Sequence, residues 1–315
     1  MADAERPTGI MSPALFTSIA DKIRQESPST LPITLYLYNW GEPLLHPELP
    51  ALIRVAKERG FKVGLSSNLN KVKNLQEVIA AGPDYFRVSL SGSTNDAYQM
   101  THRGGDIERV FANMRLLRSA IDTCGATTAV EVLYHVYLHN ALSEYDGVKQ
   151  IATELRFNLR AVLAYLMPYE KVVAYFRGEL PLADRPLVDR LALSPEEMLE
   201  IVRPNARPER DCVLRTGQSA INHDGSVALC CATYTHPNIA TSFLDLSLTD
   251  LQRKKYNDPL CGECMGLALD LLGVYDGQDE WWRIAGENIK LYFERKAQAA
   301  RNGDSPHRRV LPVIA

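Results

Sequence analysis

The sequence predicts an α/β protein built on a parallel sheet, either open or curled into a barrel, followed by a small cysteine-bearing module. Three observations carry this. Strand-type apolar runs alternate with amphipathic helical segments up to about residue 166, and that alternation implies parallel strands joined by right-handed crossovers. Several of the strands are apolar on both faces, as strands covered by helices must be. Five of the six cysteines (Cys212, Cys230, Cys231, Cys261 and Cys264) lie between residues 212 and 264, and only Cys124 precedes them.

The elements follow in order. Ser12-Pro13 reads as a helix cap followed by proline in the first helical position, and Leu15, Phe16, Ile19, Ala20 and Ile23 share one face of a helix over 12–26. Ser27-Pro28 ends it. Strand 33–38 is followed by helix 47–59, where Leu49, Leu52, Ile53 and Ala56 align. Strand 61–66 leads to helix 71–80, and strand 84–90 to helix 105–121. Strand 129–138 precedes helix 142–155, and strand 159–166 closes the series. No strand precedes the first helix, so a parallel barrel begun here exposes an unpaired edge unless residues 1–11 cover it.

Residues 1–166 thus form the barrel-like part. Residues 167–210 are rich in proline (Pro168, Pro181, Pro186, Pro195, Pro204 and Pro208) and read as a connecting or cover segment with one helix near 195–203. Residues 211–266 form the cysteine module. Residues 267–315 hold a helix over about 278–300, with Trp281 and Trp282 as packing anchors, and a basic tail.

Composition bounds the function. The chain has 315 residues, 46% hydrophobic and 23% charged, with a net charge of -3. That charge argues against a large nucleic-acid footprint. No segment is long and apolar enough to span a membrane, and the N-terminus lacks the features of a secretory signal, which points to a cytoplasmic protein. Cysteines in such a protein are redox or metal groups rather than disulfides.

The polar signals sit at strand ends. Strand 33–38 is followed by Gly41-Glu42-Pro43, where glycine admits a ligand to the backbone, proline stiffens the exit and the carboxylate can meet a cation. Strand 61–66 is followed by Ser67-Asn68, strand 84–90 carries Ser89 and precedes Ser91, and strand 129–138 precedes Asn140 and Glu144. Each alone is explained as a helix cap or loop residue. All together, at successive strand ends, they predict one ligand site at the mouth of the sheet. In the module, Cys261-x2-Cys264 places two thiolates on one tight turn, a spacing that grips a metal ion or an iron–sulfur cluster. Asn222-His223-Asp224-Gly225 reads as a hairpin turn leading back to Cys230-Cys231. Cys212, Cys230, Cys261 and Cys264 then supply four ligands, with Cys231 a substitute or a packed neighbour. Zinc is satisfied by four thiolates as well as a cluster is. Cys124 is structural.

These features resemble the radical S-adenosylmethionine (radical SAM) family with a C-terminal auxiliary iron–sulfur domain of SPASM or twitch type, over about residues 8–266. Gly41-Glu42-Pro43-Leu44-Leu45-His46-Pro47 is similar to the family's GGEP region, with Trp40 in place of the first glycine. Ser67-Asn68 is similar to its Thr-Asn-Gly, Val88-Ser89-Leu90-Ser91-Gly92 to its vSlDG, and Cys212, Gly225-x4-Cys230 and Cys261-x2-Cys264 to the auxiliary-cluster pattern. The resemblance implies a partial (β/α)6 TIM-like barrel missing its first strand. It implies SAM and an auxiliary [4Fe-4S] cluster as cofactors, and an oxidoreductase or modifying enzyme that abstracts hydrogen with a 5′-deoxyadenosyl radical. Its partners would be a small-molecule or peptide substrate and an electron donor protein. By the resemblance, Glu42 and its neighbours hold the SAM amino group, Ser89 or Ser91 with Arg103 faces the carboxylate or ribose, and Asn140 to Glu144 lie by the adenine and ribose. No catalytic residue is assigned. The family's Cys-x3-Cys-x2-Cys motif, which binds the SAM-cleaving cluster, has no counterpart here, and Arg6-Pro7-Thr8-Gly9-Ile10-Met11 looks like the segment just after it. The expectation is an N-terminally shortened member; the alternative is a non-catalytic scaffold or binding protein with a structural four-cysteine site for a cluster or zinc.

Overall fold

A computed structural model describes residues 8–28, 30–207, 209–272 and 278–302. Residues 1–7 and the tail beyond Asn302 lie outside the described residues, and with them part of the segment expected to cover the sheet edge.

Helix α1 (Pro13–Glu26) starts as the sequence predicts: Ser12 Oγ accepts from the Leu15 N–H at 3.2 Å, with proline in the first turn. Its apolar face is divided. Phe16 and Ala20 enter the main core, whereas Ile19 joins a second cluster with Val227, Phe243 and Leu251. One helix therefore bolts the sheet to the later cysteine module.

The strands then follow as a β/α series: β1 (Thr34–Tyr36), α2 (Leu49–Glu58), β2 (Lys62–Ser67), α3 (Leu75–Ala80), β3 (Tyr85–Leu90), α4 (Asn95–Gln99), α5 (Ile107–Cys124), β4 (Ala129–Val136), α6 (Ser143–Glu154) and β5 (Asn158–Leu163). All five strands pair in parallel, in the order β1-β2-β3-β4-β5, so neighbours in sequence are neighbours in space. This is the α/β partial TIM-like fold predicted, with β1 at one edge. The helix α4 is one that the periodicity missed, because five residues are too few to show a 3.6-residue repeat.

Side-chain alternation sets the two faces. Val63 and Leu65, Phe86, Val88 and Leu90, and Val130, Val132, Tyr134 and Val136 are buried in the main core with Ile53, Val110, Leu117 and Ile151 of the helices. The opposite face carries Gly64, Ser66, Tyr85, Arg87, Ser89, Glu131 and His135, and those beyond Gly64 are only half-buried. Gly64 is required there, since a Cβ would stand 2.6 Å from the Tyr36 ring.

The cover segment is more regular than predicted. It holds α7 (Tyr169–Phe176), α8 (Arg185–Val188) and α9 (Pro195–Val202). Proline density hid α7 because its own eight residues contain none, and Pro186 and Pro195 sit in first turns, where proline is tolerated. The module comprises α10 (Val213–Gly217), the hairpin β6 (Ala220–Ile221) and β7 (Val227–Ala228), α11 (Leu248–Tyr256) and α12 (Pro259–Gly266). Cys261 and Cys264 stand on α12, one turn of a helix apart, rather than on the tight turn predicted. Helix α13 (Gln278–Asn302) is the last described element, with Trp281 buried and its Nε1 donating to Met198 O at 3.3 Å.

Leu65 is fully buried at the centre of the sheet. Leu65→Ala is expected to lower unfolding free energy by about 2–5 kcal/mol, read from denaturant midpoints at unchanged slope.

Candidate active site and thiol recess

The strand-end residues do converge. Glu42 caps the 3-10 turn Pro43–Leu45: one carboxylate oxygen accepts from the Leu44 N–H at 3.1 Å, the other from the Asn68 N–H at 3.2 Å. Burial, opposed by these bonds and by the Ser67 hydroxyl, raises its carboxyl above the ordinary range. Glu42 forms no ion pair among the described residues, so a mostly buried carboxylate at the mouth lacks a cation. Gly41 beside it is open: a Cβ there would meet nothing within 4 Å.

Ser67 is buried and its Oγ accepts from the Leu69 N–H at 2.9 Å, while Asn68 Oδ1 accepts from the Asn70 N–H at 3.0 Å. Ser66 and Ser89 face each other across β2 and β3 at 3.4 Å. Ser91 is buried and bonded to Thr101 and to His102 Nδ1. His102 stacks on Tyr98, 4.3 Å between ring centroids, and burial pushes its pKa down to about 4. Arg103 is exposed on the same loop.

Asn140 and Glu144 are committed to the protein itself. Asn140 is fully buried; its Oδ1 accepts from the Tyr137 N–H at 2.7 Å, and its Nδ2 donates to Ser91 O at 2.7 Å and His135 O at 2.9 Å. Glu144 accepts from Ser93 N–H at 2.6 Å and Thr94 N–H at 2.9 Å, and from both hydroxyls. These two side chains join the loop after β3 to the end of β4 and thereby fix the shape of the mouth.

Cys212, Cys230, Cys261 and Cys264 line one recess, with Leu229, Leu260, Tyr169, Arg215 and Lys255 around them. The recess is partly open to solvent. Burial pushes the Cys212, Cys261 and Cys264 thiols up. Cys230 donates to Cys231, which holds Cys230 up and Cys231 down. Lys255 is buried, its Nζ donating to Leu214 O at 3.4 Å and to Gln218 O. Lys255 and Arg215 are the cations lining the recess, and Arg215 is ion-paired with Asp211. Among the described residues no three His, Cys, Asp or Glu side chains draw close enough to hold a single metal ion. A cluster spreads its thiolates over separate iron corners, so a wider set suits it better than one ion.

The recess is fastened to the mouth. Trp40 Nε1 donates to Thr233 O at 2.9 Å, and its ring meets Tyr234 at 5.2 Å, edge to face. Glu170 on α7 accepts three successive N–H groups, from Tyr234, Thr235 and His236, at 2.7–2.9 Å. Cys124 lies elsewhere, at the end of α5, with its thiol 3.8 Å from Gln76 O.

The uncovered face of the sheet was not anticipated. Glu131 Oε1 accepts from Arg160 Nε at 3.0 Å, and Oε2 from Arg160 Nη2 at 3.2 Å and from the Tyr85 hydroxyl at 2.5 Å. Arg87 Nε stands 3.6 Å from the same carboxylate. The signal was available: Phe86, Val88 and Leu90 are the apolar phase of β3, which leaves Tyr85, Arg87 and Ser89 on the other face.

A parallel partial barrel with polar groups gathered at its strand ends has the architecture of the radical SAM class. Residues 4–136 match the family model described as Radical SAM superfamily. No curated protein sequence matches the chain. Among solved structures, native anSMEcpe with bound AdoMet is similar at a TM-score of 0.53 and 13% identity, over 96% of this chain and 94% of that one. SuiB of Streptococcus suis bound to its precursor peptide SuiA is similar at 0.50 and 14%, over 84% of this chain and 62% of that one. These likenesses concern the fold. Among the described residues no helix is long and apolar enough to cross a membrane.

Asn140→Ala leaves one buried N–H and two carbonyls without their partner. It is expected to cost about 3 kcal/mol or more, measured by denaturant unfolding. His102, neutral when folded, binds its proton more tightly when unfolded. Stability should therefore fall as pH drops from 6.5 towards the folded value of about 4. His102→Gln should remove on the order of 2 kcal/mol of that acid-induced loss, seen by comparing unfolding midpoints at both ends of that range.

Proposed function

We propose that this chain is a SAM-binding protein of the radical SAM type that carries an auxiliary iron–sulfur cluster on Cys212, Cys230, Cys261 and Cys264 and acts on a peptide. The observation that carries the proposal is the meeting of those four cysteines in one recess that is fastened to the strand-end mouth. In this reading residues 1–166 bind SAM, 167–210 cover the substrate, and 211–266 hold the cluster.

At the mouth, the Glu42 carboxylate accepts the SAM amino group, the cation it lacks within the protein. Gly41 gives that group room, and Pro43 and Leu44 fix the turn. Ser67, Asn68 and Ser89 offer hydroxyl and amide groups beside it, and Ser91 with Arg103 flanks the loop after β3. Asn140 and Glu144 hold the loops in position. When bound, the auxiliary cluster supplies a one-electron donor or acceptor. Cys212 and Cys230 would hold it from one wall, Cys261 and Cys264 from α12, with Lys255 and Arg215 easing its negative charge. Peptide substrates are supported by the fold likeness to SuiB bound to its precursor peptide and to anSMEcpe bound to AdoMet and a peptide.

The cluster that cleaves SAM in this class needs Cys-x3-Cys-x2-Cys, and residues 1–123 contain no cysteine. These residues do not supply the ligands of that cluster.

Anaerobic reconstitution with iron and sulfide is expected to give a brown protein with bound iron and sulfide. Single Ala variants at Cys212, Cys230, Cys261 or Cys264 should lose most of it, and Cys124→Ala none. Equal iron in all five variants would overturn the cluster assignment. A metal bound by four thiolates can contribute on the order of 10 kcal/mol to a folded module. Cys261→Ala should therefore expose residues 211–266 to protease before the sheet, whereas equal cleavage of both parts would contradict it.

A further inference from the structure

The polar face of the sheet holds two guanidinium groups and, among the described residues, one carboxylate between them. Arg87 and Glu131 are paired positions on β3 and β4, and Arg160 is on the adjacent β5. Glu131 is the carboxylate shared by both guanidinium groups, and its oxygens are taken: Arg160 binds both, and Tyr85 adds a short third bond. Arg87 is left at 3.6 Å, beyond hydrogen-bond reach of Glu131, and its bond is from Nε to the Tyr85 hydroxyl at 3.4 Å. Its two terminal nitrogens have no partner among the described residues. Two guanidinium charges against one carboxylate leave one in excess.

The position of that excess makes it a receptor. Arg87 has 26% side-chain exposure and Glu131 18%, whereas Arg160 has 53%. Arg87 is thus partly desolvated yet reachable. The other groups around it bring no second negative charge: Tyr38 and Tyr85 have raised pKa values and stay neutral, and His135, pushed down to about 4, is uncharged at neutral pH. A half-buried guanidinium without its own counterion is costly, and its planar fork matches a carboxylate in two parallel bonds. Beside it the rings of Tyr36 and Tyr38 meet edge to face at 5.7 Å and give apolar surface for the stem that carries such a group.

We propose that Arg87, supported by the Arg160–Glu131 pair, is a specificity determinant that receives a carboxylate of the substrate on the open face of the sheet. This rests on the reading of a peptide substrate given above. A carboxylate is the shared chemistry of an acidic peptide side chain and a free small acid, and the test separates them.

The anaerobically reconstituted full chain is titrated, without SAM, with Ac-Gly-Glu-Gly-NH2, Ac-Gly-Gln-Gly-NH2 and glutarate, each followed by calorimetry. The acidic peptide is expected to bind about tenfold more tightly than its amide counterpart, the worth of one charge-assisted contact. Arg87→Gln should abolish that preference. Arg87→Lys, which keeps the charge without the fork, should retain part of it and serves if the glutamine variant does not fold. Tighter binding of the peptide than of glutarate assigns the site to an acidic peptide, and equal binding to a small acid; both support a carboxylate receptor. Equal affinity for the two peptides, no binding of either at millimolar concentration, or an undiminished preference in both variants would overturn it. Iron and sulfide content are measured on the same samples and SAM is absent, so a negative result on iron-loaded protein leaves the SAM and cluster assignments standing.

Discussion

A parallel sheet must cover both of its faces, and this one covers only one with helices. Val63, Leu65, Phe86, Val88, Val132 and Tyr134 pack under α2, α3, α5 and α6 and supply the core that holds the five strands in register. The other face cannot be apolar, because it is not sealed. It carries tyrosines, serines, His135 and a charged trio beside the buried Leu133. Most of what the protein can bind follows from that asymmetry: ligand loops at the strand ends, and a polar floor beneath them.

The cysteine module depends on the same sheet. It contributes only two-residue strands and short helices of its own, and its small apolar cluster is completed by Ile19 of α1. Gly9 runs so close to the module's hairpin that a Cβ would stand 2.1 Å from the His223 ring. With Trp40 and Glu170 anchoring the loop after Cys231, the thiol recess is held from the barrel side. A metal group in it would therefore stiffen the connection between the two parts as well as the module.

The strands were legible because Leu, Val and Phe recur in them with helical segments between, and because Gly41-Glu42-Pro43 and Ser67-Asn68 punctuate their ends. The four cysteines were legible from spacing alone. Short elements were not: α4 spans too few residues to declare a period, and Cys261 and Cys264 sit on a helix that a Pro-Leu-Cys-Gly sequence conceals. Roles were less legible than places. Asn140 stands where expected, yet its amide joins Ser91 to His135, a pairing across strands that no local pattern encodes. Arg87 is a lone arginine in a strand with no local pattern to mark it, and only the pairing with Glu131 shows what faces it.

The central claim is that four separated thiols form one cluster site joined to a SAM-binding mouth. X-ray absorption on the anaerobically reconstituted chain tests it most directly. The prediction is iron with sulfur neighbours and a clear iron–iron distance, lost in Cys264→Ala. Zinc surrounded by four sulfurs, with no iron–iron scattering after reconstitution, would contradict it.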